Sequence, residues 1–221
     1  MSEVLEAERL YRFFHAGDDE TLALRGVSLT LARGEMLAVT GPSGSGKSTL
    51  LNVLAGLDEP DGGQVRIEGE RLSRRPEEVR ARLRGERIGL VYQTVNLVGH
   101  LSVSDNVAVA QQLSAKPTSR SWREEVLQRV GIAHRAHARP GQLSGGELAR
   151  AGLAVALAND PPVVLADEPT GELDDATAAG ILDLLAERAR AGSAVVIVTH
   201  DPAVAARTDR ELALRDGEVQ P

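Results

Sequence analysis

The nine residues Gly41-Pro42-Ser43-Gly44-Ser45-Gly46-Lys47-Ser48-Thr49 constrain this chain more than any other segment, because of what stands on either side of them. The apolar run Met36-Leu37-Ala38-Val39 precedes them inside a predicted strand, Glu35–Thr40, and an amphipathic pattern over Lys47–Ala55 follows. The segment therefore reads as strand, glycine-rich loop, helix. Gly41, Gly46, Lys47 and Ser48 match the pattern G-x-x-x-x-G-K-[ST]. Gly41, Gly44 and Gly46 permit backbone geometry closed to bulkier residues, so successive N–H groups and the helix N-terminus can face the β- and γ-phosphates of a nucleotide. Lys47 adds a mobile point charge there, and Ser48 would place its hydroxyl on a magnesium ion. Ser43, Ser45 and Thr49 complete the expected nucleotide-binding loop. Lys47 and Lys116 are the only lysines, Arg filling most basic positions, which makes a Lys at this place informative.

The remaining chain alternates short β-type runs with helical patterns. Val65–Glu68, Ile88–Tyr92, Val163–Asp167 and Ala194–Thr199 read as strands, several of them nearly all apolar as buried parallel strands are. Val103–Leu113, Trp122–Val130, Gly145–Ala158, Asp175–Ala191 and Pro202–Thr208 read as helices. From about Thr94 to Ala158 helix follows helix with no clear strand between. The expectation is one α/β domain over residues 1–221, a mostly parallel sheet flanked by helices, with a helical subdomain inserted at 94–158. Lys116-Pro117-Thr118-Ser119-Arg120-Ser121 reads as a connection inside that subdomain, and Asp58-Glu59-Pro60-Asp61-Gly62-Gly63 as a turn.

Composition narrows the function classes. With 221 residues the chain can bury a sizeable core, which must rest on Leu, Val, Ile and Ala because aromatics make up only 2%. There is no Cys, hence no thiol chemistry, zinc–thiolate site or disulfide framework, a composition that suits a reducing compartment. A net charge of -7 is the wrong sign for a protein living on nucleic-acid phosphates, so no direct nucleic-acid binding is expected. No segment approaches the ~18 apolar residues of a membrane helix, and Met1–Glu6 has neither a basic nor an apolar leader region. Any membrane contact is expected to go through a partner.

Two carboxylates then extend the phosphate reading. Val163-Val164-Leu165-Ala166-Asp167-Glu168 is an apolar run ending in two acids, which puts both at the C-terminal edge of a buried strand, where ligands bind in α/β sheets. Asp167 would support magnesium, directly or through water, while Glu168 would orient the attacking water and accept its proton. His200 ends a second buried-type strand at the same edge. A His there suits holding Glu168 or the γ-phosphate, and it suits a purely structural role equally well. His15, His100, His134 and His137 lie in polar surroundings and read as surface residues. Up to this point a transporter ATPase, a small-molecule kinase, a GTPase and a helicase all fit.

Leu143-Ser144-Gly145-Gly146-Glu147 separates them: it resembles the LSGGQ signature of ABC ATPases, in a variant ending in Glu. Ser144, Gly145 and Gly146 open a helix, so their N–H groups make a second anion site. In order with Gln93, Asp167-Glu168, Asp174 and His200, the resemblance covers essentially the whole chain. It implies a P-loop NTPase core with an N-terminal antiparallel β portion and the inserted helical subdomain. It also implies ATP and Mg2+ as ligands, and a head-to-tail homodimer in which each ATP lies between one P-loop and the opposite signature. By resemblance Gln93 is the Q-loop residue contacting magnesium or water, Asp174 belongs to the D-loop that crosses the dimer interface, and Tyr11 is the aromatic that stacks on adenine. An ordinary strand-edge Tyr fits position 11 as well, since Phe13 and Phe14 are close by.

Leu24–Leu29, Gln93–Ser102 and Asp167–Asp174 are similar to the lipoprotein-release and macrolide-export group. That likeness implies an ATP-hydrolysing subunit on the cytoplasmic face of the membrane, driving separate integral permease subunits in lipoprotein, peptide or drug extrusion. A cell-division type ABC ATPase signalling across the membrane is the alternative. A nucleotide scaffold with little turnover is disfavoured by Lys47, Asp167, Glu168 and His200, and a kinase by the signature. The chain departs from the family where Leu148 and Ala149 stand before Arg150 in place of two Gln, and where Val155 replaces an Arg. The signature helix is thus more apolar than usual, which bears on packing and on hydrolysis.

Overall fold

A computed structural model of the chain describes residues 3–16, 19–93, 97–114 and 118–220. Thr94, Val95 and Asn96 of the stretch after Gln93, and Lys116-Pro117 of the expected connection, lie outside the described residues, as does the side chain of His15.

The parallel strands form where the sequence is apolar on both faces. β3 (Met36–Thr40), β6 (Ile88–Val91), β7 (Val163–Asp167) and β8 (Ala194–Val198) pair in the order β3-β8-β7-β6, all parallel. β9 (Arg210–Arg215) adds in parallel beyond β3, and β10 (Glu218–Val219) closes that edge antiparallel. The pleat divides these strands between two cores. Leu37, Val39, Leu165 and Val196 face one cluster, Met36, Val164, Ala166 and Ile197 the other.

Register decides the site. Val39 lies opposite Val198, Val198 opposite Asp167, and Ala166 opposite Val91. The residues that follow these strands, Gly41, Thr199-His200, Glu168 and Gln93, therefore leave the sheet at one edge.

Over the first cluster lies a second sheet, in the order β2-β1-β4-β5 and antiparallel throughout. It is built from β1 (Glu3–Ala16), β2 (Asp19–Ala32), β4 (Gly62–Ile67) and β5 (Glu70–Arg71). β1 and β2 pair along most of their length, with several register shifts in β1. α1 (Lys47–Leu54) packs between the sheets through Leu50, Leu51, Val53 and Leu54.

Between β6 and β7 the described residues contain helices and no strand: α3 (Val103–Gln112), α4 (Arg120–Arg129), two 3-10 turns (Ala133–Arg135 and Pro140–Gln142) and α5 (Gly145–Ala156). Ser102 and Ser119 cap α3 and α4 by accepting the N–H of Asp105 and Trp122. Trp122 donates its indole N–H to the Ala158 carbonyl at 3.0 Å. α6 (Asp175–Arg190) and the single turn α7 (Pro202–Ala205) complete the chain, with α2 (Glu77–Arg87) preceding β6. α2 corrects the sequence reading, which left 77–87 without a helix. Only Leu83 of it is buried; Arg80 and Arg84 tie its first turn through Glu77 at 2.5 and 2.6 Å. No helix among the described residues is long and apolar enough to cross a membrane.

Candidate functional site

The loop between β3 and α1 is shaped by contacts only glycine allows. Gly41 has φ 144°, and a Cβ there would stand 2.0 Å from the Leu214 carbonyl oxygen. α1 begins at Gly46 with no side-chain cap, which leaves its first N–H groups free for an anion. Lys47 folds back, donating from Nζ to the carbonyls of Gly41 and Pro42 at 2.8 Å each.

Gly41, Ser43, Gly44, Gly46, Lys47, Ser48 and Thr49 line an open cavity of about 800 Å3 together with Gln93, Asp167, Glu168 and His200. Ser45 does not line it. Its side chain is buried and turned inward, while its backbone carbonyl accepts the Gly217 N–H at 3.1 Å, so it braces the loop from behind. Phe14, Arg25 and Asp216, which the sequence reading left out, close the cavity from the hairpin and the β9–β10 turn.

Tyr11, expected on the adenine, stands apart from the cavity. It is not among the cavity's lining residues; its ring packs on Gly62 and its hydroxyl points at Gly26. The reason lies in β1, whose register against β2 shifts between Leu10 and Tyr11 and again between Arg12 and Phe13, turning the faces of the strand. The aromatic ring delivered to the cavity is that of Phe14, half exposed, with the Arg12 guanidinium 4.8 Å above its centroid. Arg12 is itself held by Asp58 and Asp61 at 3.4 and 3.2 Å.

At the sheet edge the two acids differ. Burial, and next the Glu168 charge, push the Asp167 carboxyl above its ordinary value, against the pull of Lys47 and of the Ser48 hydroxyl bonded to it. Glu168 adopts φ 45°, a left-handed conformation that non-glycine residues avoid. Its carboxylate is fixed there: Oε1 lies 2.6 Å from His200 Nδ1 and accepts the His200 N–H at 3.1 Å, and Oε2 accepts the Thr199 hydroxyl at 3.3 Å. His200 thus stands beside Glu168 rather than in a packing role. Burial, and next the Asp167 charge, push the Tyr92 phenol above its ordinary value.

The donor set suits magnesium of one particular kind. Among the described residues no group of three or more His, Cys, Asp or Glu forms a cage for a metal. A hydroxyl and a carboxylate in contact, Ser48 and Asp167, with Gln93 lining the same cavity, fit an ion that takes one or two protein ligands and completes its shell from phosphates and water.

The segment Ser144–Glu147 is a capping box. Ser144 Oγ accepts the Glu147 N–H at 3.3 Å and Glu147 Oε2 accepts the Ser144 N–H at 2.9 Å. Gly146 meets the start of α6, where its Cβ would stand 2.7 Å from Thr177 Cγ2. Asp174 caps α6, accepting from the Thr177 N–H and hydroxyl at 3.1 and 2.7 Å, and those bonds hold its carboxyl below the ordinary range. None of Ser144, Gly145, Gly146 and Asp174 lines the cavity. Ala149 and Val155 pack against the helical core cluster, and Arg150 donates to the Val130 carbonyl at 2.8 Å. Two of the apolar departures on α5, Ala149 and Val155, are thus absorbed as packing.

Comparison with known proteins places this geometry. The model of the family described as "ABC transporter" matches residues 24–171. The chain is similar to the lipoprotein-releasing system ATP-binding protein LolD of Bordetella pertussis, 46% identical over 98% of this chain and 95% of that protein. It is also similar to the macrolide export ATP-binding/permease protein MacB of Chromobacterium violaceum, 43% identical over 97% of this chain, of which it spans about a third, 34%. Among solved structures, a dimeric post-hydrolysis ATP-binding cassette, MJ0796, bound to ADP and Pi superposes with a TM-score of 0.90 at 35% identity, covering 98% of this chain and 97% of that one.

Proposed function

The chain belongs to the ABC transporter family, and from that premise we propose that it is an ATP-hydrolysing subunit that dimerises on ATP and drives a separate membrane permease of the export or lipoprotein-release type. One observation carries the dimer: Ser144, Gly145 and Gly146 open a helix toward solvent while standing off the cavity that holds the P-loop, Asp167 and Glu168. A single copy therefore has two phosphate-binding surfaces that do not share a site, and a second copy supplies what each lacks.

In this reading the adenine stacks on Phe14 and the triphosphate runs to the N-terminus of α1. Lys47 exchanges the Gly41 and Pro42 carbonyls for phosphate oxygens. Ser48, Asp167 and Gln93 would hold magnesium, which when bound neutralises phosphate charge. Glu168 Oε2 or Oε1 accepts a proton from water as its oxygen attacks the γ-phosphorus, and the bond to the β–γ bridging oxygen breaks to leave ADP and phosphate. His200 keeps Glu168 aimed. Asp174 in the dimer interface and the helical subdomain at 94–158 transmit closure to the permease at the cytoplasmic face of the membrane. Exposed Val98, Val109 and Leu113, in the stretch after Gln93, support a docking role there. Ser144→Arg tests the two-surface reading: steady-state hydrolysis is expected to fall to background while ATP affinity stays at the wild-type value. Undiminished turnover would exclude the signature from the site.

A further inference from the structure

The signature turn carries an acid close to where a phosphate must bind. Glu147 sits at the third helical position of α5 with its carboxylate folded back onto the Ser144 N–H at 2.9 Å. That contact, followed by the charge of Arg135, holds it below the ordinary carboxylate range, so it is ionised at neutral pH. A fixed negative charge on a helix N-terminus competes with an incoming anion for the same field.

The chain answers this charge from one short segment. Arg135 Nε lies 3.2 Å and His134 Nε2 3.5 Å from Glu147 Oε1. Arg135 also donates from its terminal nitrogen to the Gln142 carbonyl, immediately before Leu143. One guanidinium on the 3-10 turn Ala133–Arg135 thus grips both ends of Leu143–Glu147. It is only 35% exposed and Glu147 26%, so solvent screens the pair less than an open surface pair.

We propose that Arg135 is a positioning residue for the signature: it compensates the charge of Glu147, so that the N–H groups of Gly145 and Gly146 keep a net attraction for the γ-phosphate presented by a second copy of the chain. The inference rests on the reading of Ser144–Gly146 as a phosphate surface, and it makes the effect of Arg135 conditional on the acid at 147.

The experiment is a double-mutant cycle on ATP hydrolysis with Arg135→Ala, Glu147→Gln and the double variant, alongside ATP affinity and thermal unfolding. Arg135→Ala is expected to lower kcat about five-fold or more, with ATP affinity at the P-loop unchanged. In the Glu147→Gln background the same change is expected to alter kcat by less than about two-fold. Arg135→Lys, which restores the charge without the fork, is expected to recover part of the rate, and Arg135→Gln keeps the side chain's length should the alanine variant not fold. Equal losses in both backgrounds would reduce Arg135 to a packing role, and no loss in either would remove it from the site; both overturn the proposal. Ser144→Arg is run in parallel. If that variant is inactive while Arg135→Ala turns over normally, only this inference fails; if it hydrolyses ATP normally, the signature reading fails with it.

Discussion

Glu168→Gln separates the base from the scaffold that holds it. Glu168 has φ 45° with its carboxylate held by His200, and a left-handed residue costs about 1–2 kcal/mol that glutamine, with the same Cβ, neither adds to nor relieves. Glutamine can place its oxygen at Oε1 and keep both His200 contacts, at 2.6 and 3.1 Å. It replaces the acceptor facing the Thr199 hydroxyl, 3.3 Å away, with an amide, a loss of about 1 kcal/mol. What it cannot do is take a proton from water. A positioned general base contributes about 10²- to 10⁴-fold, or roughly 3–5 kcal/mol of barrier. The catalytic loss should therefore exceed the stability loss several-fold. Phosphate release at saturating ATP, titration calorimetry of ATP and thermal unfolding measure the three quantities on one preparation. The expected result is kcat down by at least about 100-fold, ATP affinity within about three-fold and a melting temperature little changed. A kcat within about three-fold of wild type would refute Glu168 as the base.

Three further outcomes follow from named contacts. Phe14→Ala is expected to weaken ATP binding by about three- to ten-fold in a fluorescence titration, as loss of one stacking ring does, while Tyr11→Ala leaves it unchanged; the reverse order would return the adenine to Tyr11. Gly146→Ala forces a Cβ to within 2.7 Å of Thr177 Cγ2, an overpacking of about 1–3 kcal/mol, and Thr177→Ser, which deletes that methyl and keeps the capping hydroxyl, should restore the melting temperature; no rescue would deny the contact. Asp167 has its carboxyl raised by burial and by Glu168, so the folded chain binds that proton more tightly than the unfolded chain and loses stability as pH rises through the folded value. Asp167→Asn without nucleotide should therefore melt higher than wild type at pH 8, with the advantage gone below about pH 4, the unfolded value; a lower melting temperature at pH 8 contradicts the assignment.

What the sequence disclosed depended on how each element is buried. β3, β7 and β8 are covered on both faces and so are written as continuous apolar runs, legible without a partner. β1 was not, because its register shifts interrupt the alternation by which a half-covered strand is recognised. Tyr11 was suggested by the family resemblance alone, which carries no information on these shifts; Phe14 is the ring that lines the cavity. α2 was missed because it carries no apolar stripe: only Leu83 enters the core, while Arg80 reaches Glu59 and Glu77 at the surface. Within the glycine-rich loop the motif identified every residue but did not distinguish Ser43, which lines the cavity, from Ser45, which is buried behind it. Ser48, Asp167 and Glu168 could be placed together because each ends a strand, follows one or opens a helix at the same sheet edge; His200 could be placed at that edge too, but its position alone did not separate a contact with Glu168 from a structural role. The pairing of Arg135 with Glu147 was not, since nothing in the spacing of a 3-10 turn and a capping box signals that they meet.

Hydrolysis as proposed requires ATP to be held between the P-loop of one copy and the signature of another. The mass in solution of the Glu168→Gln chain, measured by light scattering with and without ATP, tests this most directly. The chain is 23.5 kDa; the expected result is that mass without nucleotide, a doubling with ATP, and no doubling once Ser144→Arg is added although ATP still binds. A chain that binds ATP and keeps its monomer mass, or a doubling indifferent to Ser144→Arg, would contradict it.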